Sequence, residues 1–322
     1  MTNYQKICLE LISALSQRQN EVVLRRFGLK GGERETLESI GQDFGITRER
    51  VRQIEEDGLE RIKPEAKKYQ KIFQNFKQYL KKSGDLRKEE TLLEDLGGKS
   101  WKNQIYFLLN LDANFKKCGE TDEFYPLWLI NQNSLGKARE VLGSLCQKFE
   151  EMKKPLTLKE ISAFFTLDNS VLKSFLEISK GIQENKEGLY GLRDWPEINP
   201  KGVKDKAYLA LKKGKKPLHF AQVAELIEGS LVQTVHNELI RDPRFVLVGR
   251  GVYALKEWGY CSGQVKDVIL KVLKENGPLT RDKILEKVLS QRLVRENTIL
   301  LNLSNKKYFS RDSQGKYGVL EA

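Results

Sequence analysis

Histidine and cysteine are scarce in this chain, at two and four among 322 residues. Cys8, Cys118, Cys146 and Cys261 stand far apart, with no CxxC pair and too few histidines to complete a ligand set. Structural zinc needs closely spaced nitrogen and sulfur donors, so no metal site is expected, and the thiols read as reduced residues of small cores. A GxxxxGK[ST] phosphate loop and a GxSxG elbow are also missing. With so little histidine, most acid–base and nucleophilic schemes lose their usual residues. The expectation is a chain with no catalytic site and no cofactor. Long apolar runs are lacking too. The longest candidate, residues 105–111, is interrupted by Asn110 and falls far short of the ~18 residues of a membrane span. The opening MTNYQKICLE has no basic flank leading into an apolar core, so no secretory leader is read and a cytoplasmic location is expected.

Charge, by contrast, is abundant. Lys and Arg number 56 against 44 Asp and Glu, a net +12, with 31% of residues charged and 39% hydrophobic. Apolar residues recur periodically from end to end, which argues for globular order and against disorder. An excess of this size fits a polyanion partner. Its distribution is uneven: residues 1–83 carry +5, residues 84–200 carry −3, and residues 201–260 and 261–322 carry +5 each. Both ends are basic and the middle is acidic.

Length alone predicts two or three domains at ~100–200 residues each, but an internal period divides the chain more finely. Pro155-Leu156-Thr157, Pro217-Leu218-His219 and Pro278-Leu279-Thr280 recur at steps of 62 and 61 residues. Tyr190-Gly191-Leu192, Tyr253-Ala254-Leu255 and Tyr317-Gly318-Val319 follow them at steps of 63 and 64. In the last copy, residues 265–275 place Val268, Ile269, Val272 and Leu273 on one helical stripe, and Asn276-Gly277 ends the helix. Thr280 caps a second helix over residues 281–289, a third covers about 296–304, and two short strands turn at Ser313-Gln314-Gly315. Helix, short strand, helix, helix and hairpin make a winged helix.

The preceding copy fits the same template, with His219 in the cap position and strands Phe245-Val246-Leu247-Val248 and Val252-Tyr253-Ala254-Leu255 joined by Gly249-Arg250-Gly251. The copy before it runs over residues 135–195 with a shorter third helix. A degenerate first copy is suggested by Tyr125-Pro126-Leu127-Trp128 and a lead helix over residues 69–82, with Ile72, Phe73, Phe76 and Leu80 in register. The aromatics at the hairpins read as plugs of these small cores. The expected fold is mainly α, built from tandem helix-turn-helix and winged-helix modules with short β-hairpin wings. The expected modules are residues 1–65, 66–132, 133–198, 199–260 and 261–322.

The first module differs from the rest. Residues 36–44 form a short helix with Leu37, Ile40 and Phe44 on one face, and Gly45 supplies a turn. Thr47 then begins a long helix, TRERVRQIEEDGLERI, ending before Pro64, with Val51, Ile54, Gly58, Leu59 and Ile62 inward. Arg48, Glu49, Arg52 and Gln53 lie on the opposite face near its N-terminus. In a major groove Arg pairs with guanine, Gln with adenine, and Glu accepts from cytosine, while a phosphate suits the helix N-terminus near Thr47. The same pattern also reads as a solvated face laced by Glu49–Arg52 and Glu49–Gln53 contacts.

Arg25-Arg26-Phe27-Gly28-Leu29, the segment from Thr36 to Gly41, and TRERVRQIE at residues 47–55 closely resemble region 4 of the sigma-70 family of RNA polymerase sigma factors, over about residues 16–64. The resemblance implies that Arg48, Glu49, Arg52 and Gln53 read a −35-type promoter element on double-stranded DNA. It also implies that the helix around Val22, Leu24, Phe27 and Leu29 engages the flap tip of the β subunit in the polymerase core. Sigma factors carry this region at their C-terminus, behind the region that melts the −10 element, whereas here it begins the chain. Gly58 stands where a small residue is expected mid-helix, at ~1 kcal/mol relative to Ala.

Lys216-Pro217-Leu218-His219-Phe220, with the following helix and the Gly-Arg-Gly hairpin, resembles the HARE-type winged helix over about residues 200–260. That family occurs in the delta subunit of bacterial RNA polymerase, in restriction endonucleases and in chromatin-associated proteins. Gln233, His236 and Asn237 on its third helix, with Arg241, Arg244 and Arg250 near the wing, are its candidate DNA contacts. Arg295, Lys306, Lys307, Arg311 and Lys316 are those of the last copy. These cations would chiefly hold phosphates, which position without specifying. The expected function is a DNA-binding transcription regulator that reads a −35-type sequence, docks on RNA polymerase, or both. The alternatives are a delta-like polymerase accessory factor without base readout, and a regulatory chain of a restriction or modification system.

Overall fold

The computed structural model describes residues 2–227 and 229–320, which form two compact units, Met1–Arg193 and Asp194–Ala322. The first opens with α1 (Tyr4–Ile12), α2 (Gln17–Phe27), α3 (Leu37–Phe44) and α4 (Arg48–Ala66). Each start is chemically marked. Ser16 and Gln19 form a capping box ahead of α2, and the hydroxyls of Thr36 and Thr47 accept from the third backbone N–H of α3 and α4. A 3-10 turn, Lys67–Tyr69, leads into α5 (Gln70–Lys82).

A first winged unit continues with β1 (Leu86–Lys88), α6 (Glu89–Gly97), α7 (Lys102–Leu109), β2 (Lys116–Cys118) and β3 (Leu127–Leu129). The lead helix expected from Phe73, Phe76 and Leu80 is α5, and all three residues are buried. A second winged unit follows: α8 (Asn133–Met152), β4 (Leu156–Thr157), α9 (Leu158–Ser162), α10 (Asn169–Ile178), β5 (Ile182–Glu184) and β6 (Leu189–Leu192).

The C-terminal unit holds two more. One comprises α11 (Val203–Gly214), β7 (Leu218–His219), α12 (Phe220–Glu225), α13 (Val232–Arg241), β8 (Phe245–Gly249) and β9 (Val252–Leu255). The other comprises α14 (Val265–Asn276), α15 (Arg281–Leu289), α16 (Glu296–Leu303), β10 (Phe309–Arg311) and β11 (Tyr317–Val319). Three sheets share one order, β1-β3-β2, β4-β6-β5 and β7-β9-β8, with the last hairpin strand in the centre. In the fourth, Leu279 bridges Tyr317 in place of a full first strand. The fold is mainly α with short antiparallel wings, as the sequence period implies.

The head and the first winged unit share their interior. One continuous core runs from Cys8, Leu11 and Phe27 through Phe76 and Leu92 to Phe107 and Trp128. On α7, Ile105, Phe107, Leu108 and Leu109 are all 0% exposed. Burying each such side chain stabilises by ~1.5–3 kcal/mol, so α7 is held by far more than a surface contact.

Three expectations are corrected. The long helix does not stop before Pro64 but carries it inside, to Ala66. Pro64 is solvent-exposed, so the carbonyl its missing N–H leaves open can be hydrated, while Ile62 and Ala66 stay in the core. In the second winged unit the short helix is the second, α9, and the third spans ten residues. Among the cysteines only Cys8 is fully buried, the other three being half-exposed.

Candidate nucleic-acid interface

The α3–α4 corner depends on two glycines. Gly45 ends α3 at φ 62°, the left-handed region that L side chains avoid. Gly41 is needed for room: a Cβ there would lie 2.7 Å from the Ile46 carbonyl oxygen, while Ile46 N–H donates to the Gly41 carbonyl at 2.9 Å. Behind the corner, Val22, Ile40, Val51 and Ile54 are buried together, with Leu37, Phe44 and Ile46 packed against them. Arg25 braces α2 to the corner. Its guanidinium donates to Glu35 at 2.9 and 2.6 Å, pairs with Asp43, and lies over the Phe44 ring.

The outward face of α4 carries the predicted readers. Thr47, Arg48, Glu49 and Gln53 are exposed, and Arg52 is half-exposed. Thr47 Oγ1 accepts from Arg50 N–H at 3.2 Å, which fixes the helix start. The Arg48 side chain makes no hydrogen bond or ion pair among the described residues. Arg52 is engaged on both sides, donating to Glu49 at 3.0 and 2.6 Å and pairing with Glu56 one turn on. Its hydrogen bonds hold the Glu49 carboxyl below the usual carboxylate range. Arg50 donates to Gln53 Oε1 at 2.9 Å. The Glu49–Arg52 contact is therefore present, whereas Gln53 is held by Arg50 and not by Glu49. An open recess in front of the helix N-terminus is lined by Gly45, Ile46, Thr47, Arg48 and Arg50, and the helix dipole adds to their field there. Arg50 and Glu56 were not singled out from the sequence. Their spacings of three and four residues from Gln53 and Arg52 were the available signal.

The residues assigned to the polymerase flap need correcting. Val22 and Leu29 are 0%, Phe27 2% and Leu24 6% exposed, so none presents a surface. Val22 belongs to the helix-turn-helix core, while Leu24, Phe27 and Leu29 join the core shared with α7.

The cations of the C-terminal unit divide. Arg241 and Arg250 are exposed, and neither has an ion pair among the described residues. Arg244 is spent internally, donating to Asp205 at 2.8 Å and Asp242 at 2.6 Å, which pulls the Asp242 carboxyl below its usual range. Arg244 is therefore a brace between α11 and the wing, not a free cation. Lys306 and Lys307 are exposed in the turn after α16, and Arg311 lies over the Tyr317 ring. Gln233 and Asn237 are exposed on α13. His236 is stacked on Phe220 with centroids 4.2 Å apart. His219 caps α12, its Nδ1 accepting from Ala221 N–H at 3.3 Å. Among the described residues no His, Cys, Asp and Glu group could hold a metal ion, and no helix is long and apolar enough to cross a membrane.

Residues 11–63 match the family model of Sigma-70, region 4. The chain is 48% identical over 52 residues to the RNA polymerase sigma factor RpoS of Coxiella burnetii, covering 16% of this chain and 15% of that protein. It is 42% identical over 55 residues to the RNA polymerase sigma factor SigA of Clostridium acetobutylicum, 17% of this chain and 15% of that one. The chain thus spans about a seventh of the length of these relatives, and α1 and α5 onward lie largely or wholly outside the shared segment.

Proposed function

We propose that this chain is a non-enzymatic, DNA-binding transcription regulator associated with RNA polymerase. In this reading the sigma-like head, residues 1–65, reads a −35-type sequence with Arg48, Glu49, Arg52 and Gln53, and Thr47 seats a phosphate. The observation that carries it is the N-terminal half of α4. It is a helix-turn-helix second helix, fixed by Thr47 and Gly41, whose readers all face solvent. The pairs holding Arg52 are surface pairs, which contribute little and exchange readily for a base edge. Of the winged modules, residues 66–132, 133–198, 199–260 and 261–322, the two basic ones at 199–260, which is HARE-like, and 261–322 extend the contact. Arg241 and Arg250, with Lys306, Lys307 and Arg311, grip the backbone.

The test is binding of the whole chain to −35-type and scrambled duplexes across a salt series. Affinity should fall with salt with a slope of about −0.9 per phosphate contacted. Arg48→Ala and Gln53→Ala should each cost ~1–3 kcal/mol on the specific duplex and relax preference at one base. Variants that bind every duplex as the parent does would end base readout by α4. A second reading, a polymerase accessory factor working through protein contacts, is favoured by α13 and the turn before it. Leu231 is 76%, Ile240 63% and Leu226 61% exposed there. Polymerase capture by the chain with no preference among duplexes would select it.

A further inference from the structure

The head has two apolar faces, and only one belongs to the helix-turn-helix. On α2, Val22 points into the small core with Ile40, Val51 and Ile54. Val23, Leu24 and Phe27 point into a different core, shared with α1, α5 and α7. Val23 lies against Gly58 of α4, while α7 covers the Phe27 end of this face. Phe27 packs edge-on against Phe107 with centroids 5.2 Å apart and tilts against Tyr106 at 5.8 Å. Polar contacts fix the register. Asn103 Nδ2 donates to the carbonyls of Gly28 at 3.2 Å and Gly32 at 3.0 Å, so one amide holds both sides of the loop after α2. Arg34 from that loop lies 4.1 Å above the Tyr106 ring.

The place of α7 in its own unit sharpens this. It is the third helix of a winged helix, the position that enters a DNA groove in this architecture. Yet it offers no groove-reading face, because Gln104, Ile105, Phe107, Leu108 and Leu109 are all buried. It also lies wholly outside the segment shared with the sigma factors.

We infer that α7 is a built-in partner helix: it permanently fills the second apolar face of the sigma-like head, so that this face accepts no external helix, the polymerase flap tip included. Polymerase association, where the reading above requires it, then uses another surface. The inference rests on that reading only for the identity of the excluded partner. The burial that argues for a permanent seat, and against a latch, is independent of it. The contacts are continuous with the core of the whole unit, and every large apolar side chain on α7 but Tyr106 is fully buried. A latch that must open for a ligand is drawn from weakly packed, low-protection elements.

Native-state hydrogen exchange on the whole chain tests this directly. Amides of α7 and α2 should show equal protection and open in one event. Exchange of α7 at least a hundredfold faster than α2, with α2 still protected, would overturn the inference. A fluorescent peptide of the β flap-tip helix supplies the second arm. It should show no saturable binding to the unaltered chain, and none to Asn103→Ala, which loses only the two loop hydrogen bonds. Saturable flap-peptide binding that deprotects α7 would equally overturn it. Failure of promoter-DNA binding, by contrast, would strike the proposed function and leave both of these readouts unchanged.

Discussion

Helices α4 and α7 each stand third in a trihelical arrangement, and their fates are opposite. In α4 the outward face reads Arg48, Glu49, Arg52, Gln53, all of it wet. In α7, KNQIYFLL, apolar residues occupy nearly every direction around the axis, and the helix disappears into the core. Topology therefore does not assign the job. A helix with one apolar stripe keeps a second face free for a ligand, whereas one apolar all round has none to spare. Within one unit, the same architectural position yields an open polar face and a buried fastener.

Removing the fastener is the strongest way to break this contrast. Phe107→Ala should cost ~3–5 kcal/mol, the loss typical of a deleted core aromatic. Because Phe107 touches Phe27, protection of α2 amides should fall together with that of α7, as hydrogen exchange would record. A head that stays fully protected while α7 melts would separate the two helices again. Gly41→Ala comes next. Its methyl meets a backbone carbonyl at 2.7 Å, and overpacking of this kind costs ~1–3 kcal/mol. The corner must open to admit it, so affinity for a specific duplex should drop while the CD spectrum stays helical. Unchanged affinity would show that the corner angle is not what aims α4.

Gly58→Ala runs the other way. An added Cβ would sit 3.5 Å from Val23 Cγ2, an ordinary contact, and the helix gains ~0.5–1 kcal/mol from the lost backbone freedom of glycine. A higher urea midpoint with unaltered duplex binding is the expected result. Acid gives the smallest effect. Arg25 holds the Glu35 carboxyl below its usual range, so its contribution is present above the unfolded carboxylate value and is lost as pH falls through the folded one. The head should weaken as pH drops below about 4, and Glu35→Gln should flatten that slope in pH-dependent urea melts.

Much of this was legible in the residues, and the gaps have physical causes. The Pro-Leu-Thr and Tyr-Gly-Leu markers recur because they are the paired strands themselves: Leu156 sits opposite Tyr190 and Leu218 opposite Tyr253. The face of α4 followed from spacing, since local periodicity fixes which side of a helix faces water. Which residues of α2 are available to a partner did not follow. Burial of Phe27 depends on Phe107, eighty positions away in sequence. The apolar run at residues 105–111 did carry the signal. Weighed only as a membrane span, it was too short, but a short helix apolar on every side belongs inside something. Pro64 misled because it lies in the last turn of α4 on an exposed face, where the carbonyl it leaves unbonded can meet water.

The sheet order has a consequence for how this chain is made. In each of the first three winged units the central strand is the last synthesised, so Leu86 has no partner until Leu129 exists, and Leu156 none until Tyr190. Each sheet therefore closes late, from the middle, after its helices are in place. A ribosome halted before β6 or β9 leaves that unit's first strand unpaired, whereas a halt before β3 also withholds Trp128 from the core shared with the head. Production of the chain should accordingly advance in steps of one whole wing, each step sealed by its final tyrosine or tryptophan strand.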